Sequence, residues 1–451
     1  MEPKLILINP WIYDFAAYDL WSKPLGLLYL ASFLRQSGFK PHLIDCLDVH
    51  HPEMKEHLTK AQPVRHAYGT GKFWRKKVPK PAPLKQIPRS YSRYGISRGA
   101  FLNELKKVRN PAAILVTSMM TYWYPGVQEV ITLSREVYPE VPVILGGPYA
   151  RLCEQHALLT SGADRVISES GLQAMAGIIN LLKGYGIEAE KGPPSLDTLP
   201  YPAFDMLHTI EYISILTSLG CPYRCQYCAS HFINPQFFRR DPHHVLEEIL
   251  YWYKNYRVQD FAFYDDALLV DSDAHTGILL EEITRRKLDL RFHTPNALHV
   301  REITSEMAEL LYRAGFRTIR LGLETSDMAM HRDLDRKISE GEFERAVMNL
   351  RTAGFTKKEV GAYVLVGLPR QSVNSVLRTI DFVGDIGASP YLAEYSPIPH
   401  TALWQEALVH SDYDLSSEPL FHNNTLLPCW DQGQRTHFPE LKQRVQEIRK
   451  G

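Results

Sequence analysis

Two runs of short apolar strands alternating with helical segments, parted by a proline-rich stretch, constrain this chain more than any other feature of its sequence. In the first run KLILINP (4–10), PHLID (41–45), AAILVTS (112–118), VPVILGG (141–147) and DRVIS (164–168) read as strands. PLGLLYLASFLRQSGF (24–39), GVQEVITLSREVY (126–138), RLCEQHALL (151–159) and GLQAMAGIINLLKGY (171–185) supply the helices. Strands that are apolar throughout and separated by helices fit a parallel sheet covered on both faces. Ligands bind such sheets at the carboxyl ends of the strands. Those ends carry Asn9, Asp45, Ser118, Gly146 and Gly147. No G-x-G-x-x-G follows the first strand, which weakens a nicotinamide reading, and YGTGKF (68–73) reads as a plain loop.

GPPSLDTLPYPAF (192–204) breaks the pattern. The expected organisation is an α/β domain over 1–190, a proline-rich linker over 191–212, a second α/β domain over 213–400 and a C-terminal extension over 401–451. In the second domain strands are expected near 213–217, 260–265, 290–294, 318–323, 361–366 and 391–395. DPHHVLEEILYWYKNY (241–256) opens a helix with Asp241 as N-cap and Pro242 at its first position. Six βα units are too few for a closed eight-stranded barrel, so an open, partial (β/α)6 barrel is expected. In the extension, Leu441, Val445 and Ile448 mark one apolar face of a closing helix.

Charge narrows the partners. Lys plus Arg and Asp plus Glu both number 51, so nothing pulls the whole chain toward nucleic acid or an anionic surface. The balance is uneven, however. Between His57 and Asn103 there are eleven Lys or Arg and no acidic residue, interleaved with Tyr68, Phe73, Trp74, Tyr91 and Tyr94. This basic insert, at about 50–105, could meet an anionic substrate, a phosphate-bearing cofactor or RNA, or could pack across the more acidic remainder. No apolar run approaches the roughly 18 residues of a membrane span. MEPKLILINP reads as a first strand and not as a signal peptide. Six cysteines in 451 residues make no disulfide scaffold, and a cytoplasmic location with available thiols is expected.

Three of those cysteines stand within eight positions, in SLGCPYRCQYCAS (218–230). Structural zinc wants four closed ligands, commonly as two separated pairs. Cys221, Cys225 and Cys228 offer three, and Cys46, Cys153 and Cys429 stand alone and read as small core residues. Three thiolates on one loop fit a 4Fe-4S cluster with one iron left open for a ligand. The alternative is a zinc site completed by a histidine such as His231.

CPYRCQYC resembles the C-x3-C-x-aromatic-C signature of radical S-adenosylmethionine (radical SAM) enzymes. FYDDALLVD (263–271), FHTPNAL (292–298), LGLETSD (321–327), YVLVGLPRQ (363–371) and YSPIPHTAL (395–403) look like that superfamily's successive strand motifs, in order. The N-terminal half resembles the flavodoxin- or Rossmann-like cobalamin-binding domain often fused to them, in KPLGLLYLASFLRQSGF and VILGGPYA. The resemblance implies that Cys221, Cys225 and Cys228 hold the cluster and that its open iron binds S-adenosylmethionine. One electron would then release a 5′-deoxyadenosyl radical. Asp265 and Asp266 would face the methionine ammonium, or else cap the next helix. Glu324 would bind the ribose, or else pair with Arg320 or Arg317. Asn296 and Ser326 are candidates for the same pocket, and Tyr227 would cover the adenine side.

For the N-terminal domain the resemblance implies cobalamin, near Ser118, Gly146 and Gly147. The D-x-H-x-x-G motif that ligates cobalt is missing, because residues 9–24 contain no histidine. His50 and His51 follow the second strand and are expected at the surface or in the insert. The implied activity is methylation of an unactivated carbon in a small molecule, with flavodoxin or ferredoxin as electron donor. The alternatives are cyclisation, rearrangement or ring modification with the same cofactors, a first domain that binds no corrin, or a cluster-bearing protein without turnover.

Overall fold

The computed structural model describes residues 2–56, 62–184 and 195–451. Parts of three expectations lie outside them: the basic insert at 57–61, the end of the 171–185 helix, and the linker at 191–194. The chain divides into two compact units, Met1–Glu211 and Tyr212–Gly451.

In the first unit β1 (Lys4–Asn9), β2 (Lys40–Asp45), β3 (Ala113–Val116), β4 (Val143–Leu145) and β5 (Arg165–Val166) form one parallel sheet. Their spatial order is β5-β4-β3-β1-β2. This is the flavodoxin-like 2-1-3-4-5 arrangement, in which the strand order reverses between β1 and β3 and a crevice opens at their carboxyl ends. The register pairs Ile8 with both Ile44 and Val116, so Asn9 and Asp45 emerge side by side at that end. Leu5 through Ile8 are fully buried, as a strand covered on both faces must be. α1 (Leu25–Gln36), α2 (Arg98–Lys106) and α3 (Tyr124–Val137) are among the covering helices. Phe101, Leu105, Val127, Val130 and Ile131 of the last two pack on Ile6, Ile8, Ile114 and Val116.

The basic insert folds as part of this unit. Ile12–Asp14, Ser92–Tyr94 and Arg75–Lys77 make a small antiparallel sheet. Phe73, Tyr91 and Tyr94 are buried in it, so these aromatics form a core and are not presented as stacking platforms. Arg65 bonds Asp19 at 2.9 Å and Glu211 at 2.7 Å, while Arg93 and Arg98 converge on Glu129. The cations drawn inward thus pair with acids of the surrounding unit, and Arg75, Lys76 and Lys77 remain exposed.

The proline-rich stretch, expected as a linker, lies on the first unit over its described residues. The Ala203 amide donates to the Leu28 carbonyl (3.0 Å) and the Ser32 hydroxyl to the Tyr201 carbonyl (2.5 Å). Arg35 bonds Asp205 at 2.9 Å. Pro200 and Pro202 disfavour helix within this segment but leave its other backbone groups able to bond to α1.

The second unit is a parallel sheet of β6 (Ile213–Ile215), β7 (Asp260–Phe263), β8 (Arg291–His293), β9 (Phe316–Glu324), β10 (Val360–Val366) and β11 (Ser389–Glu394). The strands lie in sequential order, with β6 and β11 as its two edges. Helices α4 (Pro242–Tyr256), α5 (Thr276–Arg285), α6 (Ser305–Ala314), α7 (Glu342–Ala353) and α8 (Val373–Asp385) follow the first five strands in turn. This is the open (β/α)6 arrangement. Asp241 caps α4 by accepting from the His243 amide at 2.8 Å. The closing helix α9 (Phe438–Lys450) buries Leu441 and Val445 and sets Ile448 against Gly384 of α8.

Candidate active site

β6 delivers the chain to the cysteine loop, and several restraints fix where that loop starts. Gly220 has φ 83°, and a Cβ there would lie 2.4 Å from the Gln236 carbonyl, so only glycine fits. Ser218–Leu219 pairs antiparallel with Phe238–Arg239 and closes the neck of the loop. Arg240, next along, bonds the Leu216 carbonyl at 2.9 Å and the buried Glu248 of α4 at 2.6 Å.

Asp265, just beyond β7, is the strongest restraint. Its Oδ1 accepts from the Thr217 amide (2.9 Å), the Thr217 hydroxyl (2.8 Å) and the Ser218 hydroxyl (2.6 Å). Burial pushes its carboxyl up to about 6, against the pull of these donors. Asp265 therefore ties the end of β7 to the start of the cysteine loop, with its Oδ1 taken by three donors. The helix-cap alternative is not realised for either aspartate, since α5 starts only at Thr276. Asp266 is the freer carboxylate: burial raises its pKa, and Ser230 and Lys337 oppose the rise.

The loop itself is held across the sheet. The Gln226 amide donates to the Leu334 carbonyl (2.8 Å), and its carbonyl accepts from the Leu403 amide (2.9 Å). Cys225 is buried, and Cys221 and Cys228 are partly so. The Ser230 amide points at Cys228 Sγ (3.4 Å). Burial pushes the Cys221 thiol up to about 11 and raises Cys225, where Lys337 opposes it. Among the described residues no three His, Cys, Asp or Glu side chains converge on a single metal position. A structural zinc site takes four ligands, whereas a cubane with one open iron takes three thiolates, the number this loop offers. The donor set fits the cluster.

Glu324 ends β9 with φ 65°, beside a register shift between Gly322 and Glu324. A left-handed, buried glutamate is strained, and such strain concentrates at binding sites. Burial raises its pKa, and Lys337 and the Tyr227 hydroxyl oppose the rise. The alternative ion pairs are not made: Arg317 is exposed, and Arg320 stacks on the Tyr391 ring at 4.1 Å.

Lys337 escaped sequence reading. Its Nζ lies 3.4 Å from the Tyr227 hydroxyl. Burial works against its charge, but Glu324, Cys225 and Asp335 outweigh burial and hold the ammonium well above the usual lysine range. Asp335 accepts from the Lys337 amide at 3.1 Å and bonds His331 at 3.1 Å. His299 was also missed. Its ring lies 4.1 Å from that of Tyr223, and burial with nearby Lys337 pushes it down to about 3, so it is neutral at pH 7. Neither residue belongs to a spacing pattern, since both are brought to the loop by tertiary folding.

The remaining candidates have local partners. Asn296 donates to the Tyr264 carbonyl (2.9 Å) and the Asp265 carbonyl (3.3 Å) and links the ends of β7 and β8. Ser326 bonds Thr379 of α8 through its amide and hydroxyl, both at 3.0 Å. In the first unit the Ser118 hydroxyl donates to the Gly146 carbonyl at 2.7 Å. Gly147 has φ 94°, and a Cβ there would lie 2.4 Å from the Ser118 carbonyl oxygen. The close approach that needs Gly147 is thus made by the protein's own backbone.

His51 is a correction. It is buried beside Glu104 (3.2 Å), which also pairs with His42 and Lys107, because α2 carries that carboxylate under the turn after β2. His50 bonds Glu211 at 3.0 Å. Of the lone cysteines, Cys46 and Cys429 are buried and Cys153 is partly buried.

Residues 215–383 match the family model of the Radical SAM superfamily. The second unit is a radical SAM domain. Cytidylyl-2-hydroxyethylphosphonate methyltransferase of Streptomyces wedmorensis is 22% identical over 90% of this chain and 82% of its own length. The anaerobic magnesium-protoporphyrin IX monomethyl ester cyclase of Rubrivivax gelatinosus is 21% identical over 62% of this chain and 55% of its own. The structure of the radical S-adenosylmethionine methyltransferase TsrM from Kitasatospora setae, with cobalamin and a 4Fe-4S cluster bound, covers 99% of this chain. That likeness spans 91% of TsrM with a TM-score of 0.66 at 16% identity, and it extends beyond the radical SAM domain through the first unit. Among the described residues no helix is long and apolar enough to cross a membrane.

Proposed function

We propose that this protein is a cobalamin-dependent radical SAM methyltransferase acting on an unactivated carbon of a small molecule. The observation that carries the reading is the three-cysteine loop, locked by Asp265 and Gln226 and faced by a strained, buried Glu324. A cluster on Cys221, Cys225 and Cys228 would supply the electron that cleaves S-adenosylmethionine, and cobalamin would supply the methyl group. The chain's own residues bind and orient. Glu324 offers a charged acceptor for a ribose hydroxyl, with Tyr227 over it. Asp266 is the carboxylate left for the methionine ammonium, whereas Asp265, Asn296 and Ser326 hold the strand ends in place around it. Burial around Glu324, Asp265 and Cys225 shields a reactive radical from side reactions.

The first unit fits a corrin through its sheet order, whose switch point between β1 and β3 is the usual ligand crevice of such sheets. Ser118, Gly146 and Gly147 would shape that crevice through backbone packing. A cytoplasmic setting and a flavodoxin- or ferredoxin-type donor follow from the need for a low-potential electron.

The test is anaerobic turnover of reconstituted protein with methyl-labelled S-adenosylmethionine and a cell extract as substrate source. 5′-Deoxyadenosine, S-adenosylhomocysteine and a labelled product are expected, and replacing any of the three cysteines by Ala should abolish all three. 5′-Deoxyadenosine with an unlabelled product would favour cyclisation or rearrangement, a reading supported by the cyclase relative. Tight zinc with refusal of iron would end the radical reading altogether.

A further inference from the structure

We propose that Lys337 tunes the iron–sulfur cluster: its ammonium, 3.4 Å from the hydroxyl of Tyr227 in the cysteine loop, is a fixed positive charge that raises the cluster's reduction potential. The inference rests on the reading of Cys221, Cys225 and Cys228 as cluster ligands.

The geometry holds the charge in place at both ends of the side chain. On the backbone side, the segment 331–337 is stitched to its surroundings: His331 Nε2 lies 2.7 Å from the Thr325 carbonyl and Nδ1 lies 3.1 Å from Asp335, which accepts from the Lys337 amide. The Leu334 carbonyl takes the Gln226 amide, so this segment and the cysteine loop are one hydrogen-bonded assembly. At its tip the lysine lies 3.4 Å from the hydroxyl of Tyr227, which stands between Cys225 and Cys228.

The surroundings explain why a cation is needed there. Asp266, Glu324 and Asp335 all lie within electrostatic reach of Lys337. Three carboxylates and three thiolates around one cluster disfavour the arrival of an electron, and at low dielectric each charge counts strongly. Net charge and hydrogen bonds to the sulfurs are main determinants of cluster potentials. An ammonium fixed beside the cysteine loop supplies positive charge there and moves the couple back toward what an external donor can reduce. The donor provides the electron, and Lys337 keeps its proton throughout.

Three reconstituted full-length proteins test this: wild type, Lys337→Met and Lys337→Arg. Iron content is measured first, then the midpoint potential by EPR-monitored titration without S-adenosylmethionine. Lys337→Met should lower the potential by at least a tenfold change in the reduction equilibrium, about 59 mV for a one-electron couple, and Lys337→Arg should stay near wild type. Equal shifts in Met and Arg, or full iron with no shift in Met, would overturn the proposal. So would weakened S-adenosylmethionine binding at an unchanged potential, which would put the ammonium on the cofactor instead. If Lys337→Met loses iron, Lys337→Gln removes the charge while keeping a donor for Tyr227. Iron lost from Met and Gln but kept by Arg supports the charge role, and iron lost from all three overturns it. A wild type without four irons ends the cluster reading itself, a result distinct from any of these.

Discussion

Glu324 shows how one residue trades stability for a site. An L-residue in the left-handed region costs roughly 1–2 kcal/mol, and burying a carboxylate adds to that. Nothing in β9 as a strand requires this, and an uncharged residue in extended conformation would continue the pairing with β10. What the conformation achieves is to turn a carboxylate toward Tyr227 and Lys337 at the mouth of the sheet. Glu324→Gln should therefore leave iron content unchanged and weaken S-adenosylmethionine binding. A charged acceptor is worth roughly 1.5–3 kcal/mol, a tenfold to hundredfold loss in affinity by calorimetry. Unchanged affinity would reduce Glu324 to a partner of Lys337. Burial pushes the lone Cys153 and Cys429 up to about 12, so they stay thiols.

At the scale of elements, what the sequence makes legible is what depends on local pattern. Every main strand of both sheets, the Asp241–Pro242 start of α4 and the apolar face of α9 follow from periodicity and capping, because neighbours in sequence decide them. The cysteine spacing is legible for the same reason. What escapes depends on elements distant in the chain. Asp265 looks, by position, like a ligand or a helix cap, yet its carboxylate is spent on Thr217 and Ser218, which are remote in sequence. His51 looks like a surface residue until Glu104 of α2 is placed beneath it. Lys337 carries no motif at all. The Asp265 bridge has a measurable consequence. Asp265→Ala leaves the buried Thr217 amide without its acceptor and frees the neck of the loop. A loss of about 2–4 kcal/mol in urea denaturation is expected, together with reduced iron uptake on reconstitution. Full iron at an unchanged midpoint would show that Gln226 and the short hairpin suffice to hold the loop.

At the scale of the whole molecule, the first unit limits how the proposed cobalamin can be held. If cobalamin binds at the switch point, the loop after β1 offers cobalt no imidazole. Residues 9–24 contain no histidine, and four of their polar side chains are engaged: Asn9 on Asp45, Asp14 on Trp123, Asp19 on Arg65, Tyr13 on Glu129. The next three histidines along the chain are paired elsewhere, His42 and His51 with Glu104 and His50 with Glu211. A lower face without a strong donor alters the stability of the cobalt–methyl bond and the cobalt potential, since axial ligation is a main lever of the protein on such a metal. The expected outcome is a protein-bound Co(II) EPR spectrum without strong nitrogen superhyperfine splitting, unchanged in His50→Ala and His51→Ala. Both variants should fold, because Glu211 keeps Arg65 and Glu104 keeps His42 and Lys107. Splitting that disappears in either variant would show a histidine on cobalt after all, reached by breaking its carboxylate pair. Failure of the wild type to bind any corrin would leave the first unit as a scaffold and return the chemistry to the radical SAM domain alone.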